Sequence, residues 1–167
     1  MQNKKSYILI ISAFVFGVIL TALVFTFVPL FTAKSIDTPQ DLVVPANKNT
    51  GVEFKATKTG TYTFEYVDSA FSPFAGDSTK VPWSTLVTAF KGTEPKWNGN
   101  DLDMEQSFFV IGTGGYRTRK DAIDETTGQT AIVNLNAGDS IVLVVGDSRD
   151  SYGANSGQIH FRVRVTP

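Results

Sequence analysis

The sequence predicts an all-β fold: an antiparallel β-sandwich preceded by one N-terminal transmembrane helix. Three observations lead there. A run without a charged side chain, residues 7–31, stands close to the N-terminus. After it come about seven or eight short apolar or alternating segments separated by turn residues. No stretch beyond Phe31 keeps a helical period over several turns.

The N-terminal run is roughly 25 residues long, about 38 Å as a helix, against a hydrocarbon core of about 30 Å. Lys4 and Lys5 precede it, and the positive-inside bias then places the N-terminus in the cytoplasm. A cleaved signal peptide is the competing reading. It wants a shorter apolar region and small residues at the junction, whereas Phe31-Thr32-Ala33 puts a bulky side chain there. The expected organisation is a cytoplasmic tail (1–6), an uncleaved signal anchor (7–31), a polar stalk (32–41) and an extracytoplasmic domain (42–167). The expected address is the cell membrane, crossed once.

The domain opens with Val52, Phe54 and Ala56 alternating with Glu53 and Lys55, the pattern of a half-buried strand. Thr59-Gly60 turns the chain into residues 61–67, where Tyr62, Phe64 and Tyr66 share a face. The two segments are expected to form a hairpin with its apolar faces in one core. Strands are expected at 85–91, 107–112 and 130–135. Asn136-Ala137-Gly138-Asp139 is a turn on residue chemistry alone. Ile141 to Val145 is apolar on both faces, as in a central strand covered twice. The last strand, 158–165, alternates Ile159, Phe161, Val163 and Val165 with Gln158, His160, Arg162 and Arg164. Two long irregular segments, 68–84 and 92–106, interrupt the pattern; loops of that length are functional or mobile in most compact domains.

Composition excludes several classes of function. There is no cysteine, hence no disulfide, thiol catalysis or cysteine-ligated metal. Apart from Lys4 and Lys5, 13 basic residues face 16 acidic ones, a net charge of −3, which is no footprint for nucleic acid. The single histidine, His160, lies on the polar face of a strand. No Gly-x-Ser-x-Gly elbow occurs, so an enzyme is not expected. No Asn-x-Ser/Thr sequon occurs either.

Acidic, amide, hydroxyl and glycine residues converge in segment 147–157, Asp-Ser-Arg-Asp-Ser-Tyr-Gly-Ala-Asn-Ser-Gly. Together with Leu135-Asn136-Ala137-Gly138-Asp139 before it and the alternating strand after it, this block resembles the C-terminal half of the PA-IL-like galactophilic lectins, which are small jelly-roll sandwiches. Tyr62-Thr63-Phe64 and Ala70-Phe71-Ser72 resemble, more weakly, that family's first site loop. The resemblance covers mainly residues 135–165. It implies a jelly-roll-like, galactose-binding-like domain and a calcium ion that chelates two neighbouring sugar hydroxyls. Carried over by position, the ion would be held by Asp147, Ser151 and Asn155, with a backbone carbonyl near Phe71. The chain departs from the family at Ala154, where an asparagine oxygen is missing. Arg149 also brings a positive charge into the loop.

A ligand-free account of the same segment stands beside this one. The segment then joins the last two strands as a hairpin, Asp147 and Asn155 make turns, Gly153 and Gly157 take positive φ, and Tyr152 caps the end of the sandwich with its hydroxyl in water. Three other features are weaker. Asp101, Asp103 and Glu105 alternate but lack a calcium-loop glycine. Gly112-Thr113-Gly114-Gly115 before Arg117, Arg119 and Lys120 faintly suggests an anion cradle, without a clear following helix. Trp83 and Trp97 stand in the long loops as sugar platforms or as packing. The leading expectation is a membrane-anchored, surface-exposed module that binds carbohydrate with calcium. The alternative is an envelope assembly protein whose sandwich binds a protein partner.

Overall fold

Two antiparallel sheets face each other across one apolar core, and most consecutive long strands alternate between them. The computed structural model describes residues 38–74 and 83–166. The expected anchor, the tail and most of the stalk lie outside them. Among the described residues no helix is long and apolar enough to cross a membrane.

The first sheet is organised on the last strand, β13 (Ser156–Thr166). On one side it pairs β1 (Gln40–Pro45) from Gln40↔Val163 to Pro45↔Gln158. On the other it pairs β3 (Gly60–Asp68) and then β4 (Phe71–Ser72). Between β3 and β4 the chain bulges at Ser69, the one non-glycine residue with positive φ among those described, and the Tyr66 hydroxyl donates to its carbonyl. Beyond β3 lies β11 (Thr130–Leu135); beyond β4 lie β5 (Trp83–Ser84) and β10 (Gly114–Tyr116). The second sheet runs β2 (Val52–Lys55), β12 (Ser140–Val145), β6 (Val87–Lys91), β9 (Phe109–Ile111).

Period-2 alternation places the core. Tyr62, Phe64 and Tyr66 of β3 are buried and look across at the second sheet. Phe54 of β2 meets Tyr62 at 5.5 Å and Phe64 at 5.2 Å, both edge to face, and Phe64 meets Phe109 of β9 at 5.3 Å. The two central strands of the second sheet are covered on their other face as well: Val142, Val144, Thr88 and Phe90 are all buried. Their cover is the segment after β6, where Trp97 and Leu102 pack on the core and Met104 Sδ accepts from Thr88 Oγ1 at 3.7 Å. That segment carries a small hairpin, β7 (Trp97–Asn98) with β8 (Asp101–Leu102), then a 3-10 turn, Met104–Gln106. The long stretch 92–106 is therefore a structural flap, and it accounts for the doubly apolar β12.

Four expectations need correction. β2 and β3 do not form a hairpin: β2 pairs β12 and β3 pairs β11 and β13, so the Thr59-Gly60 turn carries the chain from one sheet to the other. The last two strands are likewise in different sheets, and 147–157 is a crossover rather than a hairpin. β1 begins at Gln40, inside the segment assigned to the stalk; Pro39 and Pro45 masked it, although proline is tolerated in an edge strand. A helix was not expected, yet α1 (Arg119–Thr126) is present. It buries only Ala122 and Thr126, too narrow a stripe to show as a period. Its ends do carry signals: Thr118 Oγ1 accepts from Asp121 N at 3.1 Å, and Gly128 follows with φ 83°.

One glycine in the β1–β2 connection is sterically required. Gly51 has φ +67°, and a Cβ there would stand 2.4 Å from the Leu143 carbonyl oxygen. The core itself makes a direct prediction. Phe64→Ala should cost about 3–5 kcal/mol, because the fully buried ring leaves a cavity. Ile132→Ala, at a side chain 66% exposed on β11, should stay within about 0.5 kcal/mol of wild type. Urea unfolding of the two variants checks both values.

Candidate functional site

The crossover from β12 to β13 is pinned by its tyrosine. Two turns bring Tyr152 inward: Ser151 N donates to Ser148 O at 2.9 Å, and a 3-10 turn, Tyr152–Ala154, follows with Ala154 N to Ser151 O at 3.0 Å. Tyr152 is buried and its hydroxyl donates to the carbonyl of Val145, the last residue of β12. This corrects the expectation of a hydroxyl in water. Burial holds the phenol well above its ordinary range, and the nearby Asp147 carboxylate reinforces the shift. Asn155 is buried next, with its Nδ2 donating to Ala46 O at 3.1 Å. Ala46 N in turn donates to Gly157 O at 3.1 Å. Gly157 takes φ +102°, with Ala70 O 2.8 Å from where a Cβ would stand; Gly153 lies in the 3-10 turn and does not take positive φ.

Two acceptor oxygens of this loop are left over. Asp147 Oδ1 accepts from Ser148 N at 2.8 Å, but Asp147 Oδ2 and Asn155 Oδ1 are shielded from solvent with no hydrogen-bond partner. Glu65 Oε2 shares that condition, yet it is ion-paired with Arg164 Nη1 at 3.0 Å. Among the described residues, the shielded side-chain acceptors with neither kind of partner thus both belong to the crossover. Such atoms are uncommon in folded proteins, where protein, water or an ion usually supplies the partner.

The other assigned residues fall less evenly. Phe71 is fully buried; its ring fills the core, so only its backbone is on offer, opposite Gly157 in the ladder. Ser151 is exposed and its hydroxyl makes no capping bond. Ala154 is exposed and brings no side-chain oxygen. Arg149 makes no ion pair with Asp147; its guanidinium stands over the Trp97 ring, 5.6 Å from the centroid. Trp97 is half-buried and also meets Tyr152 edge to face at 6.1 Å, so it is a packing residue rather than a bare platform. Trp83 is half-buried in β5, opposite Tyr116.

The weaker motifs resolve into structure. Asp101 accepts from Ser148 Oγ at 3.2 Å, while Asp103 caps the 3-10 turn by accepting from Glu105 N at 3.2 Å. Among the described residues no three His, Cys, Asp or Glu side chains converge as a metal site. The glycine run 112–115 does lead into a helix, but Gly114 and Tyr116 belong to β10, and Thr118 and Asp121 already satisfy the helix start. His160 Nδ1 pairs with Asp68 Oδ1 at 3.0 Å. Residues that sequence reading missed are the clamps on the loop. Asn100 accepts from Arg149 N at 2.7 Å and from Asp150 N at 3.2 Å, and Asn49 Nδ2 donates to Arg149 O at 3.3 Å. No local pattern announces contacts between segments so far apart in the chain.

No protein-family model matches the chain. No curated protein matches it. Among solved structures it is similar to AJLec from the sea anemone Anthopleura japonica, with 14% identity over 80% of this chain and 94% of that one, at a TM-score of 0.37. It is also similar to the EclA N-terminal domain, described as a PllA-like lectin, with 18% identity over 75% and 94% at a TM-score of 0.31. Similarity this distant does not say what the chain binds.

Tyr152 makes the loop's pH dependence predictable. A tyrosine held protonated by the fold contributes stability that is complete below its unfolded value of 10.0 and is lost as pH rises toward the folded one. Tyr152→Phe should cost about 1–3 kcal/mol near neutral pH, because it leaves the Val145 carbonyl without its donor. Above about pH 10 the wild type should lose stability more steeply than the variant. Chemical unfolding across that range measures both effects.

Proposed function

We propose that the domain is a carbohydrate-binding module, jelly-roll-like in topology, displayed outside the membrane by the segment 7–31. We assign its ligand site to the β12–β13 crossover and read it as binding rather than catalysis. The observation that carries this reading is the pair of partnerless oxygens, Asp147 Oδ2 and Asn155 Oδ1. Alternation of consecutive strands between two sheets supports the jelly-roll reading.

A carboxylate, an amide oxygen and a hydroxyl are all hard oxygen donors, which fits calcium in kind. Asp147 and Asn155 would hold the ion, Ser151 would add its hydroxyl, and a backbone carbonyl near Phe71 would complete the protein's share. When bound, the ion would chelate neighbouring sugar hydroxyls. Ala154 leaves the set one oxygen short, and a single carboxylate puts the affinity at the weak end, about 10⁻⁴ to 10⁻³ M. Arg149 raises no obstacle, since its charge is directed at Trp97. The alternative reading, an envelope assembly protein, wants a contiguous apolar patch. Among the described residues, the exposed large apolar side chains, Val43, Phe74, Met104, Val110 and Ile132, are spread over separate elements and give it less support.

Calcium at 10 mM should raise the melting temperature by about 3–8 °C, as expected for about tenfold excess over a millimolar site. The chelator EDTA should reverse the shift and Asp147→Asn should abolish it. A midpoint that does not move at 10 mM calcium removes the ion from the proposal. A glycan array probed with calcium and again with EDTA tests the sugar; no bound glycan in either condition removes that part.

A further inference from the structure

The solvent side of the same loop carries a second feature of different chemistry. Asn49, Thr93, Glu94, Pro95, Trp97 and Arg149 surround a cleft of about 410 Å³, within the size range of small-ligand sites. Three facts distinguish Arg149 from an ordinary surface cation. Its backbone is clamped on both sides, through N–H to Asn100 and through C=O to Asn49. Its guanidinium rests over an indole that is itself held against the buried Tyr152. It forms no ion pair among the described residues, although Glu94 borders the same cleft.

We infer that this cleft binds an acidic saccharide, a sugar ring bearing a single carboxylate, with Arg149 as the carboxylate-binding residue. A guanidinium that stacks on an aromatic ring commits its face and leaves its in-plane N–H groups free to donate. Those donors match a carboxylate in bidentate geometry. Loss of side-chain entropy on binding is small, because the clamped backbone and the Trp97 contact already restrict the arginine. Asn49 and Thr93 offer donors and acceptors to hydroxyls, and Pro95 with the exposed part of Trp97 offers an apolar surface to the C–H side of a ring. Glu94 sets the charge selectivity: it accepts from hydroxyls and repels a second negative group, so a uronate fits and a polysulfate does not. The site uses none of Asp147, Ser151 or Asn155 and needs no cation, so it stands or falls apart from the crossover site.

The test is calorimetric titration of the full chain in a non-glycosidic detergent with EDTA present. The probes are an oligoglucuronate, the same oligosaccharide with its carboxyls reduced to alcohols, and heparin. The oligoglucuronate should bind at least about tenfold more tightly than its reduced form, and heparin should bind more weakly than the oligoglucuronate. Arg149→Gln should weaken the oligoglucuronate about tenfold or more, and Arg149→Lys by several-fold, because lysine keeps the charge without the fork. Arg117→Gln should change nothing. Equal binding of the reduced oligosaccharide, tighter binding of heparin, or an unchanged affinity in Arg149→Gln overturns the assignment. Loss of the calcium response with this Arg149-dependent binding intact would remove the crossover site and leave the cleft standing.

Discussion

The hydrogen bond from the Tyr152 hydroxyl to the Val145 carbonyl governs how the chain leaves one sheet and enters the other. Val145 ends β12 in the second sheet, and Ser156 starts β13 in the first. The crossover must bridge the edge of the core without leaving backbone groups unpaired in a dry region. A buried tyrosine does this by filling the end of the core with its ring while its hydroxyl satisfies the last strand carbonyl. With that ring in place, Asn155 is drawn in far enough to donate to Ala46 O, which ties the crossover to the end of β1. The flap residue Trp97 packs against the same ring, so core end, flap and crossover share one support.

Faces were legible in the sequence; partners were not. Alternation along 61–67 and 158–165 identified the buried sides of β3 and β13 correctly, since each apolar side chain there had one place to go. The same alternation is silent about which strand lies alongside. Phe54 and Tyr62 do meet, but across the sandwich at 5.5 Å rather than within a hairpin, and either arrangement satisfies the pattern. The doubly apolar Ile141–Val145 correctly implied cover on both sides, yet its cover came from the segment 92–106, whose irregular sequence suggested a functional or mobile loop. Short elements stayed hidden because two residues of β4, β5, β7 or β8 contain no period at all. The helix stayed hidden because its nearly polar body, with only Ala122 and Thr126 buried, shows no period, although Thr118 and Gly128 mark its ends.

The site was legible only in its local chemistry. Acid, amide and hydroxyl types in 147–157 marked the crossover as unusual, and two of the chosen residues, Asp147 and Asn155, are the ones whose oxygens lack partners. Which way each side chain faces depends on residues far along the chain. Asn49 reaches Arg149 across 100 positions and Asn100 reaches it across about half that distance. These contacts decide that Arg149 faces the flap, and no reading of the loop alone contains that information.

That orientation is an energetic choice that packing alone does not explain. Asp147 and Arg149 stand two residues apart with opposite charges, and a pair between them would satisfy the carboxylate oxygen and the guanidinium together. Instead Arg149 takes a cation–π contact with Trp97, worth about 0.5–1 kcal/mol at an exposed position. Asp147 Oδ2 is left shielded without a protein partner, a condition that costs about 1–3 kcal/mol when no water or ion bonds the atom. An exposed ion pair would have returned no more than about 1 kcal/mol, so the loss is dominated by the orphaned oxygen. One loop thus carries two partnerless acceptors, on Asp147 and Asn155, and an arginine turned to the flap residue Trp97, two opposite chemistries within nine residues whose backbone Asn49 and Asn100 hold at Arg149.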